Sequence, residues 1–571
     1  MIFMDFQYFV TLLLSFKKNI FVPNNPCLFF PVMITYKYTN HAKRGIMSSD
    51  TKYILAIDLG TSGPKVALVS MLGDVLEHEF EKTDTIFLAQ GGVEEDPDDW
   101  WRAIVKAAKR LLSKNLVPVK DILAICCTSQ WSGTVAVDKS GNHLMNAITW
   151  MDARGAAHVK KITNGLIKIE GYGISKLYKW LKLTGGIPLR SGKDPIAHIL
   201  FIKKTFPEIY KNTYKFLEPK DFLNLKLTGK FYASHESITL HWVTDNRDIN
   251  NICYHDDLIK MAGISKEKLP ELKKATDIIG LVKKEIAREL GLSESTRVVM
   301  GTPDIHSAAI GSGAIDDFAG HLYVGTSGWL LCHLPYKKTD LFHNMGALPS
   351  AIPGKYLLVN EQDIAGEALN FLRDNIIYPE DELTPAIRVK DVHKAFNIMA
   401  AKIPPGCDNL IFTPWLNGER SPVDDCYIRS GFHNMSLTTT RAQMVRAVFE
   451  GVAFNGKWLL KYVEKLIKQK MKNINIIGGG AKSDLWCQIH ADIMNRTIRR
   501  VKDPILANAR GAGLLGSVAL GYIKFDEIPE RTEFDAIFKP DPENHIVYKK
   551  LFEQFQAIYK QNKKIYKRLN K

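Results

Sequence analysis

Tyr53-Ile54-Leu55-Ala56-Ile57-Asp58-Leu59-Gly60-Thr61-Ser62-Gly63 is a short apolar run that ends in a Gly-Thr-Ser-Gly turn. The same device returns as His321-Leu322-Tyr323-Val324-Gly325-Thr326-Ser327-Gly328. Both copies occupy the same place in the strand pattern, which points to an internal duplication and to two similar domains facing each other across a cleft. Outward from the first copy, glycine-bounded apolar runs predict strands over Tyr53–Ile57 and Lys65–Val69. A third strand, Val75–Phe80, follows a Leu72-Gly73-Asp74 turn. Pro97-Asp98-Asp99 is a start signal for a helix over Trp100–Leu112, and Ile122–Cys127 and Gly133–Val137 are again strands. A strand meander followed by alternating helix and strand is an α/β or α+β layered arrangement.

At 571 residues the chain is too long for one compact core. Hydrophobic and charged contents of 46% and 24% exclude a disordered or fibrous chain. The net charge is +15, but ten of those charges lie in residues 1–50 and 546–571. A nucleic-acid binder gathers its charge on a folded face, so this distribution speaks against one. The eight cysteines contain no C-x-x-C spacing, which leaves neither a disulfide framework nor a zinc site and fits reduced thiols in the cytoplasm. The apolar run Phe9–Phe16 is too short to span a bilayer, and Met47 just before the first strand looks like a start. The expected organisation is an extension over 1–50 outside the fold and domains over 51–314 and 315–525, divided near the acidic segment Ala314–Gly320. A basic helical tail is expected over 526–571, with Val547, Leu551, Phe555 and Ile558 on one face.

A glycine-rich turn after a strand offers a phosphate closely approaching backbone N–H groups and a hydroxyl. Gly60-Thr61-Ser62-Gly63 supplies both, with Lys65 nearby and Asp58 just before. Gly478-Gly479-Gly480 follows the predicted strand Ile474–Ile477 and precedes a helix marked by Ser483 and Asp484, whose N-terminus suits an anion. There is no G-x-x-x-x-G-K-[ST], no H-R-D or D-F-G, and no G-x-S-x-G, so bound ATP is held in another way. Arg297–Met300 predicts a strand, Gly301-Thr302-Pro303 a turn and Ile305–Ile310 a helix. Asp304 then stands at the C-terminal edge of a strand, where ligands of open α/β sheets gather. Phosphoryl transfer to a hydroxyl needs a proton acceptor, a metal ion on the phosphates and alignment. Asp304 can accept the proton and Asp58 can hold Mg²⁺; taken alone, each is equally a cap or turn aspartate.

The ordered set Asp58-x-Gly-Thr-Ser, Gln130-Trp131-Ser132-Gly133, Trp150-Met151-Asp152-Ala153-Arg154, Asp304 with Ala308-Ala309, Gly325-Thr326-Ser327 and Gly478–Gly480 with Asp484 resembles the FGGY family of carbohydrate kinases, nearest its xylulokinase-like branch. The resemblance runs from about Tyr53 to about Ile523 and includes Arg429-Ser430-Gly431-Phe432 and Phe449-Glu450-Gly451. It implies an α/β fold of two duplicated ribonuclease-H/actin-like ATPase domains with an interdomain cleft, using ATP and Mg²⁺. It further implies Asp304 as catalytic base and Thr61 and Thr326 beside the transferred phosphate. Gly325, Gly366, Asn370, Gly480, Ala481 and Asp484 would line the nucleotide, with Gly60, Ser62 and Lys65 at the first phosphate turn. Gln130, Trp131, Ser132, Trp150 and Asp152 would line the sugar. Xylulokinases usually carry a histidine and a glycine after the Gln or Met of the pocket motif, where this chain has Trp131-Ser132-Gly133; glycerol kinases carry Arg-Glu there. The residue before the base is commonly glycine and here is Pro303. A tryptophan wall can stack on the C–H face of a sugar while Gln, Ser and Asp bind hydroxyls.

The expected activity is transfer of the γ-phosphate of ATP to a hydroxyl of a small sugar, a ketopentose such as xylulose or another ketose or polyol. A rival class is an actin- or chaperone-like nucleotide switch that phosphorylates no sugar. Expected partners are ATP and the sugar, without nucleic acid or stable membrane insertion, and a homodimer is compatible with the sequence.

Overall fold

The computed structural model describes residues 51–379 and 390–571, so the extension read over 1–50 lies outside the described residues. The first lobe is built on strands β1 (Tyr53–Gly60), β2 (Gly63–Ser70), β3 (Val75–Phe80), β4 (Ile122–Ser129), β5 (Ile278–Leu281) and β6 (Arg297–Pro303). They form a six-stranded sheet in the order β5-β6-β4-β1-β2-β3. β1 is flanked on both sides and covered on both faces, which is why its sequence is one apolar run rather than an alternation. Helix α1 (Pro97–Leu112) starts where Asp96 accepts a hydrogen bond from the Asp98 N–H. Pro97 fills the first position, Asp98 and Asp99 the first turn, and Lys109 and Arg110 the last, each favoured by the helix termini. Its buried face, Trp100, Ile104, Ala108 and Leu111, packs on this sheet.

β7 (Gly320–Val324), β8 (Gly328–Leu334), β9 (Thr339–Asp340), β10 (Met345–Pro349), β11 (Tyr356–Val359), β12 (Asn473–Ile477), β13 (Thr497–Val501) and β14 (Phe534–Phe538) make the second sheet. Its order is β9-β10-β11-β8-β7-β12-β13-β14. Laid over the first sheet, β11-β8-β7-β12-β13 repeats β3-β2-β1-β4-β6 with the same parallel and antiparallel pairings. The sixth strand is antiparallel in both lobes, yet β5 precedes its neighbour in the chain and β14 follows it. The duplication expected from the Gly-Thr-Ser-Gly echo is thus a duplication of topology. The two hairpins differ in detail: Gly60 pairs Gly63 across two residues, and Val324 pairs Gly328 across three.

Two helices join the lobes. α2 (Asp304–Gly311) leaves the end of β6, and α5 (Ala507–Ala519) belongs to the second lobe, after α3 (Arg441–Ile467) and α4 (Asp484–Met494). A Cβ on Gly511 would lie 1.9 Å from the Ser307 carbonyl oxygen, and one on Gly516 would lie 3.1 Å from Ile54 of β1. The second lobe's helix therefore rests directly on the first lobe's strands and on the helix that carries Asp304.

Two expectations are corrected. Gly301-Thr302-Pro303 is not a turn, because β6 continues to Pro303 through a register shift between Val299 and Thr302. Gly301 makes this bulge at φ +71°, where a Cβ would come 2.0 Å from the Cys127 carbonyl oxygen. The segment 526–571 is not a tail. β14 pairs with β13, and α6 (Pro542–Asn570) buries Tyr548, Leu551, Phe552 and Phe555 in the second lobe's core. Leu551 and Phe555 face inward as expected, whereas Val547 is exposed.

Candidate active site

The crevice between the lobes is lined by strand ends. Asp304 is the first residue of α2, directly after β6, and one of its oxygens accepts the Ile305 N–H at 2.8 Å. The carbonyl of Met300, just before the bulge, accepts from Lys220 Nζ at 3.1 Å and Asn224 Nδ2 at 2.7 Å. Lys220 is itself buried and ion-paired to Asp221, whose other oxygen takes the Ser237 hydroxyl at 2.9 Å. This network fixes the strand end from which Asp304 projects. Burial, first, and then the charges of Asp58 and Glu361 push the Asp304 carboxyl up to about 8.

Asp58 sits opposite at the end of β1, buried, with Lys65 Nζ 3.4 Å from Oδ2. Its Oδ1 has no hydrogen-bond partner among the described residues. An orphaned buried carboxylate oxygen beside a second carboxyl is a donor set that fits a divalent cation, so Asp58, with Asp304 across from it, is where one would be held. A cation held there would neutralise charge on the phosphates of a bound nucleotide.

The three glycine turns converge. A Cβ on Gly478, which sits at φ +93°, would come 2.6 Å from the Val324 carbonyl oxygen, and one on Gly480 would come 2.5 Å from the Val324 side chain. The Gly366 and Ala365 N–H groups donate to the carbonyls of Gly325 and Thr326 at 2.7 and 2.9 Å, and Asn370 lies one helical turn on, donating to Glu367. Gly325, Thr326, Gly366, Asn370 and Gly480 are therefore one surface. The first turn faces it: Tyr323 folds over Gly325, and the negative charges of Asp304 and Asp58 reach its hydroxyl and raise its pKa, behind the larger effect of burial. Ser62 is exposed on that turn. Ala481 is buried, whereas Asp484 is exposed and ion-paired to Arg500.

The sugar-side residues divide. Thr61 Oγ1 donates to Gln130 Oε1 at 3.2 Å and accepts from Trp150 Nε1 at 3.1 Å, which joins the first phosphate turn to two predicted wall residues. Trp131 is nearly buried, donating to the Ser237 carbonyl at 3.0 Å and meeting the His306 ring edge-on at 5.4 Å. Ser132 is held at φ +67° with its hydroxyl on the Lys193 carbonyl at 2.8 Å. Asp152 is fully buried, with one oxygen on the Val93 N–H and the Arg154 side chain and the other on the Arg154 N–H. These three hydrogen bonds brace the Trp150 loop and leave Oδ1 with one further acceptor site.

Sequence reasoning missed a charged group from the second lobe. Arg420 is ion-paired to Glu361 and Asp363, and its guanidinium lies over the Trp150 ring with its carbon 5.2 Å from the centroid. Lys193 from the first lobe lies near it, and burial with the Arg420 charge lowers its pKa. Glu95, fully buried behind Gln130, was also missed. Charged stretches such as Glu94-Glu95-Asp96 and Glu419-Arg420 ordinarily signal solvated surface, and no spacing marks these as inward-facing.

Comparison with known proteins decides the family. The family model described as "FGGY family of carbohydrate kinases, N-terminal domain" matches residues 53–311, and the corresponding C-terminal domain matches residues 321–520. The chain belongs to the FGGY family of carbohydrate kinases. It is 31% identical over 521 residues to a xylulose kinase of Staphylococcus epidermidis, covering 90% of this chain and 97% of that one. It superposes on a ligand-bound xylulose kinase of Lactobacillus acidophilus with a TM-score of 0.78 at 26% identity, covering 91% of this chain and all of the other. A gluconate kinase of the same organism gives 0.78 at 27% identity over the same share. As an FGGY kinase the protein is an ATP-dependent phosphotransferase with a sugar hydroxyl as acceptor, served by a divalent metal. Among the described residues no helix is long and apolar enough to cross a membrane.

Proposed function

We propose that this FGGY kinase transfers the γ-phosphate of MgATP to a hydroxyl of a ketopentose, with xylulose as the substrate, in the cytoplasm. The observation that carries the reading is Asp304, the first residue of α2 directly after β6, buried and close enough to Asp58 and Glu361 for their charges to add to the effect of burial on its carboxyl. Asp304 takes the proton of the attacking hydroxyl, Thr61 and Thr326 flank the transferred phosphate, and the Gly325, Gly366 and Gly480 surface carries the rest of the nucleotide. Asp58 with Lys65 beside it is the Mg²⁺ position. Closure of the lobes would exclude water, whose attack on ATP is unproductive.

The sugar is favoured by the relatives named above, and gluconate is the natural competitor. A coupled assay of ADP release over ketopentoses, ketohexoses, tetroses, polyols and gluconate tests the reading. Highest kcat/KM with D-xylulose is expected. A preference for gluconate would move the substrate class, and ATP hydrolysis indifferent to every sugar would indicate a nucleotide switch.

A further inference from the structure

Glu95 has no surface exposure, yet its carboxylate carries three side-chain donors. Trp100 Nε1 and Gln130 Nε2 both donate to Oε2 at 2.7 Å, and Thr85 Oγ1 donates to Oε1 at 3.2 Å. A carboxylate only accepts, so the amide nitrogen of Gln130 must face it and the amide oxygen must face the other way. That oxygen takes the hydroxyl hydrogen of Thr61, whose oxygen in turn accepts from Trp150 Nε1. The chain therefore has one direction throughout: Thr61 gives its only hydrogen to Gln130, and Gln130 gives its own to Glu95. Thr61 is left with a lone pair and no free hydrogen, so its hydroxyl can accept from a sugar hydroxyl or ligate a cation, and the turn's direct contacts to a flanking phosphate fall to its backbone N–H groups.

We propose that Glu95 is a positioning residue. By fixing the orientation of the Gln130 amide it fixes the Thr61 hydroxyl, and so sets the first phosphate turn in register with the sugar wall. The proposal rests on the sugar-kinase reading and adds a device that makes phosphate placement depend on that wall. Without Glu95 the Gln130 amide can turn over, Thr61 regains a free hydrogen, and the turn is released from Gln130 and Trp150.

The test compares Glu95→Ala, Glu95→Gln and Trp100→Phe in the full chain, with the sugar that the unmodified enzyme uses best. If the unmodified enzyme phosphorylates no sugar, the functional reading fails; if it does, the comparison addresses Glu95 alone. Glu95→Gln can present its oxygen to Gln130 and its nitrogen to Thr85, so it should stay within about threefold of the parent. Glu95→Ala should lower kcat about 10- to 100-fold at nearly unchanged KM for ATP, and should yield less sugar phosphate per ADP released. Trp100→Phe removes another of the donors to Glu95 and measures the effect of plain destabilisation; its melting temperature should fall while its coupling ratio stays at the parent value. The proposal is overturned if Glu95→Ala keeps parental kcat and coupling. It is equally overturned if all three variants lose activity in proportion to their loss of melting temperature.

Discussion

Asp304 has to serve as a base while its surroundings hold a proton on it. Its carboxyl titrates at about 8, against ~3.9 in an unfolded chain, so between those values the folded form binds more protons than the unfolded one. Raising the pH from 4 to 7 therefore lowers stability, because the unfolded chain releases a proton that the folded form keeps, and lowering the pH toward 4 recovers it. Asp304→Asn removes the ionisation and should abolish sugar phosphorylation by more than about 10³-fold. The same variant should melt a few degrees above the parent at pH 7 and no higher at pH 4. Calorimetry at the two pH values with a turnover assay checks both halves. The activity of the parent should fall as pH drops through the same group, because the protonated acid cannot accept the sugar proton. Arg420 offsets Glu361, one of the charges that raise Asp304. Arg420→Ala should accordingly move the acidic limb of the kcat/KM profile to higher pH, which a profile from pH 5 to 9 would resolve. The places of Asp304 and Asp58 were legible in the sequence because each follows an apolar run, Asp304 directly after β6 and Asp58 two residues before the end of β1. Arg420, Glu361 and Glu95 were not, because a charge buried by its partners looks in one dimension like a charge in water.

At the scale of elements, the lobes are held by a contact that tolerates almost no added volume. Gly511 of α5 lies against the carbonyl of Ser307, on the helix that begins with Asp304. Gly511→Ala must push the two helices apart, and overpacking of this kind costs about 1–3 kcal/mol. The displaced helix carries the base, so kcat should fall further than the drop in melting temperature alone explains. Denaturant unfolding alongside kcat measures both. β1, β2 and β4 were legible to within three residues because buried strands are continuous apolar runs, and Val75–Phe80 was legible from the turn before it, whereas β5 went unread. The β6 end was not, because Gly-Thr-Pro is a turn signal by composition and a bulge by context. What decides between them is the Lys220 and Asn224 grip on the Met300 carbonyl, which comes from a helix some 80 residues earlier in the chain.

For the molecule as a whole, the last 46 residues, 526–571, decide where the second lobe ends. A run of lysines and a high net charge make them read as a solvated appendage, but charge marks only the outward face of α6. Its inward face meets Trp415, Trp458 and Phe454, with the Phe555 ring centroid 5.3, 6.0 and 5.8 Å from theirs. The Tyr548 hydroxyl accepts from Arg446 at 2.9 Å and donates to Glu450 at 2.8 Å, completing a buried ion pair on α3. Burying four large side chains at ~1.5–3 kcal/mol each gives roughly 6–12 kcal/mol. That is comparable to the ~5–15 kcal/mol that holds a typical domain together. Removal of β14 would in addition expose β13 as an open sheet edge. A chain ending at residue 525 should therefore lose its cooperative unfolding transition and aggregate, whereas the same truncation of a true tail would leave melting temperature and turnover at parental values. Circular dichroism melts of the truncated and full chains separate the two, and restoring the segment as a separate peptide should recover the transition only if its apolar face is intact.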